Sequence, residues 1–111
     1  MDTKDHYQKI IQEILIKYTS IPFAYGDIQI ETIFDKESQR YLVVILGREN
    51  GRRVHGCLVH IDIINDKFWI QKDGTEDGIA NKLLNYGIPK ERIVLGFRSL
   101  KMREYTEFAK E

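Results

Sequence analysis

Three groups of residues in this 111-residue chain are of the types that do chemistry. The first is His55, Cys57, His60 and Asp62, all within one β-branched stretch. On an unbroken strand, alternation divides them: His55 points with Cys57, Val59, Ile61 and Ile63, while His60 and Asp62 point the other way with Leu58. One His and one Cys on a face do not complete a zinc site, and the remaining histidine, His6, falls in a helical turn. The expectation is sheet histidines held by backbone or carboxylate partners, with no metal and no cofactor. Cys57, mid-strand beside valines, is expected to be inert, because apolar surroundings disfavour the thiolate.

The second group, Asp73-Gly74-Thr75-Glu76-Asp77-Gly78, looks like the start of a calcium loop. Such a loop needs a bidentate Glu at its twelfth position. Counted from Asp73, that position holds Leu84. A turn followed by helix capping accounts for these residues better, and Glu76 and Asp77 would repel an anion at the same helix start. No Gly-x-Ser-x-Gly elbow, P-loop or dinucleotide fingerprint occurs. No nucleophile, base and orienting group stand together, so no catalytic residue is assigned and the chain is not expected to be an enzyme.

The third group is basic. Arg48, Arg52 and Arg53 surround an Asn50-Gly51 turn against a single Glu49. Arg92, Arg98, Lys101 and Arg103 lie near the C-terminus, diluted by Glu91, Glu104 and Glu107. Solvated hairpin and tail charges are the plain reading. If the groups meet on one face, Arg48, Arg52, Arg53, Arg98, Lys101 and Arg103 would form a contact surface for a phosphate backbone or an acidic protein. The whole-chain charge favours the second. Seventeen Lys and Arg offset seventeen Asp and Glu, so no global field draws in nucleic acid or a membrane.

These groups must be positioned by one domain spanning residues 1–111, with 42% apolar and 31% charged residues as in ordinary globular proteins. The lone cysteine excludes an internal disulfide and suits a reducing compartment. The longest apolar run, Leu42 to Leu46, is far short of the ~20 residues that span a bilayer, and MDTKDHYQ has no apolar signal core. A cytoplasmic protein without membrane contact is expected.

Tyr7, Ile10, Ile11, Ile14, Leu15 and Tyr18 form one stripe of a helix over residues 5 to 18, capped by Thr3 or Asp5 and stopped at Ser20-Ile21-Pro22. The period then changes to two. Ile28, Ile30, Thr32 and Phe34 mark a half-buried strand; Arg40 to Leu46, apolar on both faces, marks a central one. Asn50-Gly51 signals a hairpin into a long strand, Arg52 to Ile64, with Gly56 as an expected bulge or close approach. Asn65-Asp66 turns into a fourth strand, Lys67 to Gln71. Short turns between consecutive strands imply an antiparallel meander. A second helix follows, with Thr75 as N-cap, Glu76 and Asp77 in its first turn, Ile79, Leu83 and Leu84 as its stripe, and Gly87 and Pro89 as its stop. Pro89 to Arg92 reads as one helical turn and Ile93-Val94-Leu95 as a buried strand or extended segment. Met102, Tyr105 and Phe108 suggest a short helix in a fraying tail. Tyr41, Phe68 and Trp69 are expected in the sheet core. The fold class is α+β: an N-terminal amphipathic helix, a four-stranded antiparallel meander, a second helix and a short C-terminal segment. Helices on one side leave the other face of the sheet apolar, so tail coverage or a homodimer or higher homo-oligomer is expected.

The segments GRRVHGCLVHIDI, FWIQKDGTEDGIA, GIPKERIVLGFRS and REYTEFA, in that order, resemble the XisI family, the fdxN-element excision controlling factor. IPFAYGDIQIETIFD and RYLVV upstream resemble it too, so the likeness runs from about Tyr7 to Ala109. It departs at Arg48, where tryptophan is expected, at Lys72 in place of histidine, and at Leu100 in place of proline. The first two add charge near candidate contact surfaces. The resemblance implies a non-enzymatic accessory factor for site-specific excision of a DNA element during differentiation of nitrogen-fixing cells. It implies an XisH-like protein as partner and a site-specific recombinase as the enzyme controlled, with no catalytic residues to carry over. The alternative is a direct DNA-binding module using the Arg52/Arg53 hairpin and the Arg98 to Arg103 tail.

Overall fold

The computed structural model describes residues 3–20, 27–76 and 78–111. Helix α1 (Thr3–Ile16) runs into a 3-10 turn (Lys17–Ser20). Its stripe is the one the spacing predicts: Tyr7, Ile10, Ile11, Ile14 and Leu15 are buried, and Tyr18 packs against them. Thr3 lies inside the first turn; Ile21 and Pro22 fall outside the described residues.

Five strands form one sheet in the order β1 (Asp27–Asp35), β2 (Arg40–Glu49), β3 (Arg52–Ile64), β4 (Lys67–Asp73) and β5 (Ile93–Leu95). The first four are the expected antiparallel meander. The fifth corrects the strand count. Ile93–Leu95 pairs parallel to Phe68–Ile70, which requires a long crossover, and helix α2 (Ile79–Asn85) with a 3-10 turn (Lys90–Arg92) supplies it. Asn50 and Gly51 both have positive φ (53° and 77°), as do Asn65 and Asp66 (51° and 62°), the backbone that two-residue hairpins demand. Gly47, at φ 143°, serves a different end: a Cβ there would stand 1.8 Å from the Asp27 carbonyl oxygen, so β1 can lie against β2 only with glycine.

The start of α2 differs from expectation. Gly78, not Thr75, is its N-cap, and no side chain of the helix caps it. Asp73, the last residue of β4, does that work from outside. Its Oδ2 accepts from the Ile79 amide (2.7 Å) and its Oδ1 from the Thr75 amide (2.9 Å) and hydroxyl (2.5 Å). Thr75 Oγ1 in turn accepts from the Gly78 amide at 3.2 Å. One carboxylate therefore ties the sheet, the loop and the helix together. It is the capping turn expected in place of a calcium loop, with the capping residue moved two positions back; Asp77 lies outside the described residues. Gly87 (φ 89°) ends the helix as predicted.

The core lies between α1, α2 and one face of the sheet. Tyr41, Val43, Val59, Ile61, Phe68, Ile70 and Ile93 are fully buried there with Ile11, Leu15, Ile79 and Leu83. The Tyr7 and Phe68 rings, 4.5 Å apart, join α1 to the sheet centre. Each fully buried side chain of this size contributes about 1.5–3 kcal/mol over exposure, so this layer holds the domain together. Helix α3 (Leu100–Arg103) is a single turn capped by Ser99, whose Oγ accepts from the Met102 amide. After it the chain returns to the sheet, where Ala109 bridges to Val94 beyond β5.

Candidate partner-binding surface

The sheet face opposite α1 is where the chemistry-bearing residues gather. Its composition follows from register, because residues paired across strands share a face. Starting from the β2–β3 hairpin, the rows are Asp27, Arg48 and Arg53; then Gln29, Leu46 and His55; then Glu31, Val44 and Cys57. The next two are Ile33, Leu42, His60 and Lys72, and Asp35, Arg40, Asp62 and Trp69.

This placement overturns the alternation expected for β3. Val43 pairs with Val59 but Val44 pairs with Cys57, so β3 carries one extra residue between them. That bulge turns Leu58 toward the core, where it packs against the buried cluster, and carries His55 and Cys57 to the face of His60 and Asp62. Gly56, the expected bulge site, pairs regularly with Ile45. A second extra residue, Gln71, interrupts β4. Neither bulge is marked by the glycine that a sequence reader looks for.

His60 finds an ordinary carboxylate partner. His60 Nε2 lies 2.9 Å from Asp62 Oδ1, and Gln71 Nε2 donates to Asp62 Oδ2 at 3.4 Å. Cys57, half-buried, donates its thiol to the Val59 carbonyl (3.2 Å). Among the described residues no three His, Cys, Asp or Glu side chains come together as a metal site. None of their helices is long and apolar enough to cross a membrane.

The face has two unlike halves. Over β4, the C-terminal segment rests on it: Arg103 stacks its guanidinium on the Trp69 ring at 5.3 Å, and donates to the Arg98 and Lys110 carbonyls. Trp69 is thus a half-buried residue of the outer face rather than core, unlike Tyr41 and Phe68. Over β1 to β3, no described element covers Leu42, Val44, Leu46 or Cys57, and none of them joins the buried cluster. The tail coverage expected from sequence is realised over half the face only.

The basic residues do not converge. Arg48 and Arg53 stand directly opposite each other at the hairpin end as a like-charge pair, with Asp27 across from Arg48 on its other side. Arg52 and Arg53 line a shallow cleft of about 500 Å³ with Glu49, Asn50 and Val54. The tail group lies elsewhere. Phe97 donates to Ile70, which pairs with Ile61, and Arg53 is eight residues from Ile61 along β3, about 25 Å away. Within the tail, Arg103 is spent on Trp69 and Arg98 lies 5.4 Å over the Phe97 ring, which leaves Lys101 exposed. Sequence reading missed the concentration of exposed apolar residues around it: Phe97 (47% exposed), Leu100 (53%), Met102 (49%) and Tyr105 (78%). The three-residue spacing of Met102, Tyr105 and Phe108 suggests a helix stripe; in the structure Met102 and Tyr105 face water, while Phe108 packs against the core.

Comparison with known proteins bears on this surface. A family model described as XisI protein matches residues 1–110. The crystal structure of a XisI-like protein from Anabaena variabilis superposes with a TM-score of 0.87 at 30% identity, over 96% of this chain and 97% of that one. The fdxN element excision controlling factor XisI from the same organism superposes with a TM-score of 0.81 at 35% identity, over 99% and 100% of the two chains. No curated protein matches the chain.

Proposed function

The chain belongs to the XisI family, and from that membership we propose that it is a controlling factor for excision of a DNA element, acting through contact with another protein. The observation that carries this is the full-length likeness to the Anabaena excision controlling factor, 35% identical end to end. The surface supports the mode of action. His60 and Asp62 satisfy each other, Asp73 is committed to capping α2, and Cys57 has a backbone partner, so these groups have structural employment. The hairpin end instead offers Arg48, Arg52 and Arg53, none with an ion-pair or hydrogen-bond partner among the described residues. That is a site for carboxylates on a partner, and an XisH-like protein is the partner proposed.

The DNA-binding alternative needs the hairpin and tail to share one backbone. A separation of about 25 Å between them, with zero net charge, favours the protein partner. Co-expression with the XisH-like protein, followed by affinity purification at several salt concentrations, tests the proposal. Co-purification that drops at least tenfold with Arg48→Glu and Arg53→Glu supports it; no co-purification at any salt rejects it. In parallel, a plot of log DNA affinity against log salt is expected to be flat. A slope of about −3, three phosphates' worth, would favour DNA instead.

A further inference from the structure

We propose that the uncovered half of the outer face is the contact between two copies of this chain, each copy laying its 96–103 segment across β1 to β3 of the other. Shape, charge and area argue for this occupant together.

The outer face is a step. The C-terminal segment forms the raised half, fixed by Arg103 on Trp69, and β1 to β3 form the lower half. A two-fold axis in the plane of the face can run across the strands or along them. The first sets raised half against raised half, and a segment about 10 Å thick on each copy would hold the two lower halves about 20 Å apart. The second sets each raised half into the other's lower half, and the steps interlock. Only that arrangement closes both apolar surfaces, and it is isologous, as closed dimers require.

Charge selects the same arrangement. Residues 96–103 (GFRSLKMR) hold Arg98, Lys101 and Arg103 and no acid. β1 holds Asp27, Glu31 and Asp35 and no base, and its register puts all three on the outer face. An axis along the strands keeps each segment at its own height, so the interlocked dimer brings the basic segment to the Glu31 and Asp35 end of the acidic strand twice. The apolar side chains match in the same way: exposed Phe97, Leu100 and Met102 meet Ile33, half exposed on β1, and Leu42, Val44 and Leu46 beside it. Each lower half spans roughly 480 Å² from strand spacing and rise. Covering both from both sides would bury at most about 1,900 Å², within the range of stable protein interfaces.

Sedimentation equilibrium of the full chain tests the proposal. A dimer at micromolar concentration is expected, weakened by salt. Arg98→Glu with Lys101→Glu should raise the dimer dissociation constant at least tenfold with circular dichroism unchanged. Adding Glu31→Lys and Asp35→Lys to that chain should restore dimerisation to within about threefold. A separate Lys101→Cys chain should cross-link to native Cys57 of another copy. A monomer at hundreds of micromolar would overturn the proposal. So would a dimer indifferent to both charge reversals, or one that charge reversal weakens and the swap fails to rescue.

Discussion

The two faces of the sheet are built from the same strands and the same alternation, yet one is closed and the other half open. On the α1 side every strand contributes large apolar residues, and Tyr7, Ile11 and Leu15 from the helix fill the space over them. On the other side the uncovered apolar residues are confined to β1 to β3, ringed by Asp27, Arg48 and Arg53 at one end and Asp35, Arg40 and Asp62 at the other. The closed face pays for folding through burial; the open one leaves similar side chains at the surface, ringed by charge. That division of labour is what distinguishes a stabilising face from a recognising one.

The comparison breaks or holds on five substitutions. Phe68→Ala should lose about 3–5 kcal/mol in urea unfolding, since Phe68 is fully buried at the centre of the closed face. Val44→Ser, on the open face, should cost the dilute monomer about 0.5 kcal/mol or less; equal losses would mean the faces are not different in kind. Asp73→Ala should cost about 1–2 kcal/mol and speed amide exchange at Thr75 and Ile79, because three hydrogen bonds to one carboxylate disappear.

A smaller, pH-dependent difference follows from Tyr41 on the closed face. Burial pushes its phenol above the ordinary value of 10.0. Below that pH both folded and unfolded chains keep the proton; above it the unfolded chain ionises first, so stability falls as pH rises. Tyr41→Phe should flatten that fall above pH 10. At the exposed β1–β2 turn the sign reverses. The Ser38 amide, with that of Glu37, holds the Asp35 carboxyl below its ordinary 3.8, so its contribution is present above that pH and fades as pH falls below it. The smallest effect is Arg48→Ser, which relieves the pairing with Arg53 and should leave the urea midpoint unchanged or slightly higher.

Local rules carried much of this fold. The α1 stripe, the two Asn-led hairpins and the bounds of β3 are written in residue spacing and turn chemistry, and the structure repeats them. Where they failed, the cause was a partner distant in sequence. Ile93–Leu95 is a strand because β4 stands beside it, and Asp73 caps α2 because the sheet delivers it there. The site was less legible. Arg48, Arg52 and Arg53 could be picked out as one group from sequence, but their separation from the tail depends on strand register. The grouping of His55 and Cys57 with His60 and Asp62 depends on one unpaired residue, Leu58, whose type gives no sign of it.

That single unpaired residue has a reach beyond its neighbourhood. Everything on β3 before it, Arg53 included, shows the side it does because the strand counts one more than its neighbour. Deleting Leu58 would remove the bulge and leave Cys57 paired with Val44, so Arg53, His55 and Cys57 would keep the outer face on a now regular strand. Which chemistry this end of the molecule displays is therefore governed by a count.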